Sequence, residues 1–136
     1  MKRSPLYLAC LLPSVFVIAN CGTGPVNRQL ESLSIDPATA SANGSAVQFT
    51  ATGYWNTEPT TVTPQSATWG ACTDAGATSD VTVSTTGLAA CASGAKGKYT
   101  VFAWDYSPGT GARCNVVNAC GGGCGRIAAT AQLTCP

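Results

Sequence analysis

Residues 97–106, GKYTVFAWDY, are the stretch that says most about the fold of this chain. They are dense in aromatic and β-branched residues, which fit a pleated strand better than a helix. Because side chains alternate between the two faces of a strand, Tyr99, Val101 and Ala103 are expected to share one face, and Phe102 and Trp104 the other. The stretch therefore predicts a strand of an all-β domain.

Shorter stretches on both sides show similar alternation and are bounded by turn residues. No window sustains a helical period with caps. Six or seven short strands in this pattern predict an antiparallel β-sandwich. Besides 97–106, the stretches are LESLSIDP (30–37), SANGSAVQFTATG (41–53), SATWG (66–70), DVTVSTTGL (80–88) and RIAATAQLT (126–134).

The order of these stretches is more informative than any one of them. An opening strand ends near -PAT-, and a turn glycine leads into QFTATG. A tryptophan strand, a valine strand with its own turn glycine, and a G-x-x-x-V-x-A strand follow. Here the matching residues are Pro37-Ala38-Thr39, Gly44, Gln48 to Gly53, Trp69, Val83, Gly87, Gly97, Val101 and Ala103.

This order resembles the bacterial immunoglobulin-like domain of group 2, over about residues 30–105 and the last strand. The resemblance implies an immunoglobulin-like sandwich with a non-catalytic role, as a structural or adhesion module at a surface. The chain departs from the family by its cysteines and by a long insertion, about 107–124, before the final strand. On the resemblance, residues 30–136 form one immunoglobulin-like domain with a disulfide-stapled loop.

The first twenty residues have the layout of a secretory signal peptide. Lys2 and Arg3 precede an uncharged apolar run, 6–19, that is too short to span a bilayer comfortably. The run ends in Ile18-Ala19-Asn20-Cys21, which resembles the lipobox of bacterial lipoproteins. The resemblance implies a lipid on Cys21, and so a membrane partner.

Asn20 departs from the small residue usual before a lipobox cysteine, and ordinary cleavage after Ala19 is the alternative. With the lipobox, residues 1–20 are the signal and 21–29 a tether. The chain is then expected to be exported and lipid-anchored in the cell envelope, at an outer membrane or cell surface.

The charge of the chain excludes one class of partner. Charged residues make up 10% of the sequence. Lys2 and Arg3 would leave with the signal, so five of the seven basic residues remain against six acidic ones. No basic patch for nucleic acid is available, and no nucleic-acid partner is expected.

The cysteines predict disulfides. Of the eight cysteines, Cys10 lies in the signal and Cys21 is the lipidation candidate. Six remain, an even number on an exported chain, which predicts up to three bridges. These six are Cys72, Cys91, Cys114, Cys120, Cys124 and Cys135.

Strands that run alternately would bring Cys72, Cys91 and Cys135 to one end of the sandwich and the 114–124 cluster to the other. The final strand of roughly nine residues would separate its ends by about 30 Å. That distance excludes a bridge from Cys135 to Cys124 along a straight strand. We therefore expect a Cys72–Cys91 bridge and at least one bridge within the cluster. Three cysteines in one loop cannot all pair together, so one must reach elsewhere or stay free.

Cofactor chemistry is not expected. A zinc site from Cys114, Cys120, Cys124 and Cys135 would have the wrong spacing, and the chain has no histidine. No two cysteines have the two-residue spacing of a thiol redox centre. Gly121-Gly122-Gly123 lacks the lysine and helix of a phosphate loop. The sequence predicts neither a metal nor another cofactor.

Catalysis is not expected either, because histidine, the usual base, is absent. A glycosidase needs only two carboxylates, so a pair among the acidic residues is the remaining enzymatic alternative. Most of them lie at strand ends or turns, where aspartate is common. They are Glu31, Asp36, Glu58, Asp74, Asp80 and Asp105.

The binding candidates are aromatic. On the resemblance, Tyr99, Val101 and Ala103 take the family's inward positions, which leaves Phe102, Trp104 and Tyr106 as an outward row. Such a row suits stacking on a glycan or docking a protein partner. The alternative is that the 107–124 insertion folds back and covers the row. A homo-oligomer, as the subunit of a surface filament, is a further possibility.

Overall fold

The computed structural model describes residues 27–106, 120 and 126–136 of the chain. The predicted signal, Cys21, Cys114 and Cys124 lie outside these residues. Within them the backbone forms no helix and eleven strands: β1 (Leu30–Asp36), β2 (Thr39–Ser41), β3 (Val47–Gln48), β4 (Thr50–Trp55), β5 (Thr61–Val62), β6 (Thr68–Thr73), β7 (Gly76–Ala77), β8 (Val81–Val83), β9 (Leu88–Cys91), β10 (Gly97–Tyr106) and β11 (Arg126–Cys135). The all-β prediction is confirmed.

The described strands form two three-stranded sheets, β1-β4-β5 and β3-β9-β8, and one five-stranded sheet, β2-β11-β10-β6-β7. Only Phe49 separates β3 from β4, and its N–H donates to the carbonyl of Gly87 (2.9 Å). The two small sheets therefore share the segment 47–55. Adjacent strands pair antiparallel, except that β2 runs parallel to β11. The strand count exceeds the predicted six or seven because the segment 47–55 is interrupted and because the short strands β2, β5 and β7 form in the connections.

The core lies between the five-stranded sheet and the segment shared by the two small ones. Tyr99, Val101 and Ala103 are buried on the inner face of β10, as their alternation indicates. Inner residues of β11 and the fully buried Phe49 pack in the same cluster. The cluster gives a β-sandwich-like fold in which alternate residues of each strand are withdrawn from water.

Two predicted turns are present, and both need unusual backbone. Asn43 and Gly44 adopt positive φ angles of 38° and 82°, as a type I′ turn requires, and the N–H of Ser45 donates to the carbonyl of Ala42 across it. Gly87 has a φ of 85°, and a Cβ added there would overlap the carbonyl oxygen of Phe49. Only glycine fits that position without strain.

The polar ends of the sandwich carry different segments. At one end, which we call the entry end, residues 27–29 meet the 56–60 loop, and β10 ends at Tyr106 beside Arg126, the first residue of β11. At the opposite end, residues 42–46 and 90–96 line a common cleft with Pro136. The segment between β10 and β11 therefore leaves and returns at the entry end.

The described cysteines form two disulfides, Cys72–Cys120 and Cys91–Cys135, with Cα–Cα distances of 5.4 and 6.0 Å. The expected Cys72–Cys91 bridge is wrong. Cys72 lies opposite Thr100, on the outer face of the five-stranded sheet, whereas Cys135 belongs to the core cluster and Cys91 packs against it. Cys72 points away from the core, whereas Cys91 packs against it. The two side chains therefore cannot meet, although both cysteines were expected at the same end of the sandwich.

Cys120 is the cysteine of the cluster that reaches elsewhere. Its partner Cys72 lies level with Thr100, six residues along β10 from Tyr106. At ~3.3 Å per residue, Cys120 is held about 20 Å from the entry end. The bridge expected within the 114–124 cluster stays a prediction, and the pair left to form it is Cys114 and Cys124.

Candidate functional site

The outer face of β10 carries the aromatic row Phe102, Trp104 and Tyr106. Alternate residues of a strand share a face, and the cross-strand neighbours of the row are small or polar. Phe102 lies between Gly70 and Thr130, and Trp104 between Thr68 and Ala128. Phe102 and Trp104 are half-buried, while Tyr106 remains 48% exposed.

Phe102 is occupied by packing within the sheet. Its ring lies over Gly70 of β6, where an added Cβ would overlap the ring. A glycine at this point makes room for the ring to lie flat against the neighbouring strand. Phe102 therefore covers the outer face of the sheet and offers little free ring surface.

Trp104 and Tyr106 share a cation. Their rings meet edge to face with centroids 5.1 Å apart and planes at 83°. The guanidinium carbon of Arg126 lies 3.8 Å from the centre of the Trp104 ring and 5.5 Å from that of Tyr106. Arg126 also donates from Nε and Nη2 to the Tyr106 hydroxyl, at 3.4 and 3.3 Å. Arg126 thus occupies one face of the Trp104 indole.

The disulfide Cys72–Cys120 lies on the same outer face as this row. Cys72 is fully buried even though it points away from the core. The segment between β10 and β11 is therefore covalently attached to the face that carries the aromatic residues. Whether that segment also covers the row depends on residues 107–119 and 121–125, which lie outside the described residues.

A buried amide joins the entry end to the core. Gln65, 9% exposed, accepts from Trp55 Nε1 at 3.3 Å and donates from Nε2 to Asp105 Oδ2 at 3.0 Å. Its Nε2 also lies 3.1 Å from the carbonyl of Ser66. Gln65 could not be identified from the sequence, because a glutamine in a Thr- and Pro-rich connection gives no signal of burial.

A second cation packs on a tryptophan near the first described residues. Arg28 lies 4.3 Å from the centre of the Trp55 ring and donates from Nη2 to the carbonyl of Pro59 at 2.7 Å. Asn56 accepts from the N–H of Gln29 at 2.8 Å through its side-chain oxygen. These contacts fix the direction in which the chain enters β1.

Two of the carboxylates considered for catalysis serve structural hydrogen bonds. Asp80 accepts from the Tyr99 hydroxyl at 3.1 Å, and Asp105 accepts from Gln65. Tyr99 and Asp105 are six residues apart on β10, about 20 Å at ~3.3 Å each. Asp80 and Asp105 are therefore too far apart to act as a glycosidase pair, whose carboxyl groups lie roughly 5–9.5 Å apart.

The Asp80 contact also affects the tyrosine. Burial raises the pKa of Tyr99 above its ordinary value of 10.0, and the hydrogen bond to Asp80 and the charge of that carboxylate raise it further. The neutral phenol is the form that fits this buried position, since an ionised one would lose hydration and could no longer donate to Asp80.

The disulfides exclude the four-cysteine zinc site considered from the sequence, because Cys120 and Cys135 belong to different bridges. In residues 27–106, 120 and 126–136, no group of three His, Cys, Asp or Glu side chains could hold a metal ion. No helix of the same residues is long and apolar enough to cross a membrane.

Comparison with models of known protein families finds no match for the chain, and no curated protein matches it at a significant level. The residues themselves therefore carry the functional interpretation that follows.

Proposed function

We propose that this chain is an exported immunoglobulin-like domain, anchored by lipid on Cys21, that serves as a non-catalytic structural or adhesion module at the cell envelope. The observation that carries the proposal is the pair of disulfides in a β-sandwich-like fold. Disulfides persist in oxidising compartments, so they indicate an exported chain. The lipid, the envelope and the adhesive role are the proposed part.

The strand order supports the immunoglobulin-like assignment. On one side of the sandwich β1 pairs with β4, and β9 lies between β3 and β8. The other side is the five-stranded sheet β2-β11-β10-β6-β7. In such sandwiches the first, second, fifth and fourth strands form one sheet and the third, sixth and seventh the other. The chain follows that division once β3 and β4 are counted as one interrupted strand and the short strands β2, β5 and β7 are set aside.

The contacts at the entry end support an oriented module. Residues 27–29 are held against Asn56 and Pro59, so a tether from Cys21 would reach the domain at this end. Because residues 27–29 are held in place, the free part of the tether, residues 21–26, extends at most about 20 Å. A lipid on Cys21 would therefore keep the entry end near the membrane and direct the 42–46 and 90–96 segments away from it.

The anchor is tested by mass spectrometry of the mature N-terminus of the exported protein. We expect a chain that begins at Cys21 and carries acyl groups on it. Cys21→Ser should abolish the acyl mass and move the protein from the membrane fraction to the soluble fraction. An unmodified chain that begins at Asn20 would overturn the anchor and favour ordinary cleavage after Ala19.

The structural role is tested by the assembly state of the mature domain. A filament or array subunit should sediment as larger species as its concentration rises, through repeated contacts between copies. An adhesion module should instead stay monomeric and bind a surface. A domain that neither assembles nor binds cell-surface material would overturn both forms of the proposal.

A binding module that uses the aromatic row is the second candidate. Tyr106 is 48% exposed and lies at the edge of the Trp104–Arg126 stack. Arg126 competes with a sugar ring for the Trp104 indole, so a protein partner that contacts the rim of the stack fits better than a glycan. Loss of partner binding in Tyr106→Ala, with binding retained in Lys98→Ala, would favour this candidate.

A further inference from the structure

A cleft of about 480 Å³ opens at the side of the domain, between the 84–87 turn and the 64–66 segment. Trp69 of β6 is half-buried against it. Trp69 lies opposite Ala103, so it leaves the five-stranded sheet on the inner face, away from the Phe102–Trp104–Tyr106 row. The volume falls within the range of small-molecule sites, roughly 300–1,000 Å³.

The lining of this cleft combines an indole with uncharged polar groups. Apart from Pro64, the exposed side chains at its mouth are hydroxyl-bearing or amide-bearing, namely Gln48, Ser66, Thr85 and Thr86. None of the lining residues is ionisable. A charged ligand would lose hydration here without gaining a counter-charge, so the lining selects a neutral ligand.

Several contacts hold the cleft in shape. Gln65, at its inner side, is fixed by Trp55 and Asp105, and the Nε2 of Gln48 donates to the carbonyls of Phe49 and Thr86 at 2.7 Å each. An added Cβ at Gly87 would come within 3.0 Å of Trp69 Cζ2, so the glycine lets the turn approach the indole. A pocket whose walls are already ordered loses less entropy when it binds a ligand.

We propose that this cleft binds a neutral saccharide. A pyranose presents one apolar C–H face, which packs on an aromatic ring, and a rim of hydroxyls, which exchange hydrogen bonds with hydroxyl and amide side chains. Trp69 supplies the apolar contact, and Gln48, Ser66, Thr85 and Thr86 supply the polar rim. The site is independent of lipid on Cys21 and of the aromatic row on the outer face.

The three tryptophans of the chain provide the test, because each gives one indole N–H signal in NMR. The full mature protein is titrated with glucose, galactose, mannose and N-acetylglucosamine, and with disaccharides of each, to about 20 mM, which covers the weak affinities of small neutral ligands. We expect a saturable shift of the Trp69 signal with at least one sugar, while the Trp55 and Trp104 signals stay in place. Absence of any shift overturns the proposal. A shift of Trp104 alone also overturns it, and assigns sugar binding to the aromatic row.

A matched pair of substitutions locates the binding. Ser66→Trp places a bulky ring at the mouth of the cleft, and Ser79→Trp makes the same change at an exposed serine outside its lining. We expect Ser66→Trp to weaken the affinity at least about tenfold by calorimetry and Ser79→Trp to leave it unchanged. Equal affinities in the two variants would contradict the proposed location. The titration of the unsubstituted protein decides the proposal even if Ser66→Trp does not fold.

Discussion

Arg126 combines two roles that the sequence alone did not suggest for it. It covers one face of Trp104 and bonds the Tyr106 hydroxyl, yet its Nη1 is buried without a hydrogen-bond partner among the residues that the structure describes. Strand alternation predicted that Phe102 and Trp104 share a face. It did not predict the stacked cation, because the pairing of Tyr106 with Arg126 depends on the register of β10 and β11 across a long insertion.

Arg126→Ala should destabilise the domain by about 1 kcal/mol, the usual worth of a partly buried cation–π contact with its packing. Denaturant unfolding measures the loss, and tryptophan fluorescence should report greater exposure of Trp104. Lys98→Ala removes an exposed cation from β10, the strand that carries Trp104, and serves as the control. Equal stability of the two variants would show that the stack contributes nothing.

Tyr99 gives the domain a pH dependence at the alkaline end. Its pKa in the folded state lies above 10.0, the ordinary value it regains on unfolding. Its contribution is therefore complete below about pH 10 and is lost as the pH rises through the folded pKa. The free energy of unfolding should fall above about pH 10 more steeply in the native protein than in Tyr99→Phe. Parallel curves for the two proteins would contradict the assignment.

Strands and turns show how far local pattern extends. The alternation in 97–106, the turn at Asn43-Gly44 and the turn at Gly87 were predicted and are present. The expected Cys72–Cys91 bridge is wrong, because it rests on the end of the sandwich at which Cys72 lies and not on the face of β6 that its side chain occupies. Ala71 is buried beside Val101, so Cys72, the next residue of β6, must point to the outer face. The alternation of side chains along β6 therefore indicates which partner Cys72 can reach.

Substitutions at Gly87 and Gly94 allow the cost of backbone strain to be measured separately from the cost of steric overlap. Both have a φ of 85°, but a Cβ at Gly94 meets nothing within 4 Å, whereas one at Gly87 overlaps a carbonyl. Gly94→Ala should cost about 1 kcal/mol and Gly87→Ala roughly 2–3 kcal/mol, because the second adds displacement of β3 and β4. Thermal unfolding of both variants tests the difference, and equal losses would mean that the turn at Gly87 relaxes freely.

The domain as a unit depends on its bridges, which tie distant parts of the chain together. Cys91–Cys135 spans 44 residues and joins β9 of one sheet to β11 of another. Sequence parity and export predicted disulfides, and their presence is confirmed. The partners could not be derived, since six cysteines allow fifteen connectivities and only the folded registers choose among them.

Replacing Cys91 and Cys135 together by serine should destabilise the domain by up to about 4 kcal/mol, the chain-entropy value for a loop of this length. The Cys72–Cys120 disulfide closes a loop of similar length, 48 residues. Replacing both of its cysteines by serine should therefore lower the free energy of unfolding by a similar amount, as measured by denaturant unfolding. Hydrogen exchange should separate them, because only the first pair loosens β9 from β11. Identical exchange patterns would show that the inter-sheet bridge has no local effect.

The attachment of Cys120 to β6 also bears on how the protein would survive proteases outside the cell. A single cut between Tyr106 and Cys120 would divide the backbone, but the carboxyl-terminal piece would stay joined by both Cys72–Cys120 and Cys91–Cys135. After a cut between Cys120 and Arg126, Cys91–Cys135 would still join β11 covalently to the rest of the domain. The nicked protein would in either case remain one molecule until its disulfides were reduced.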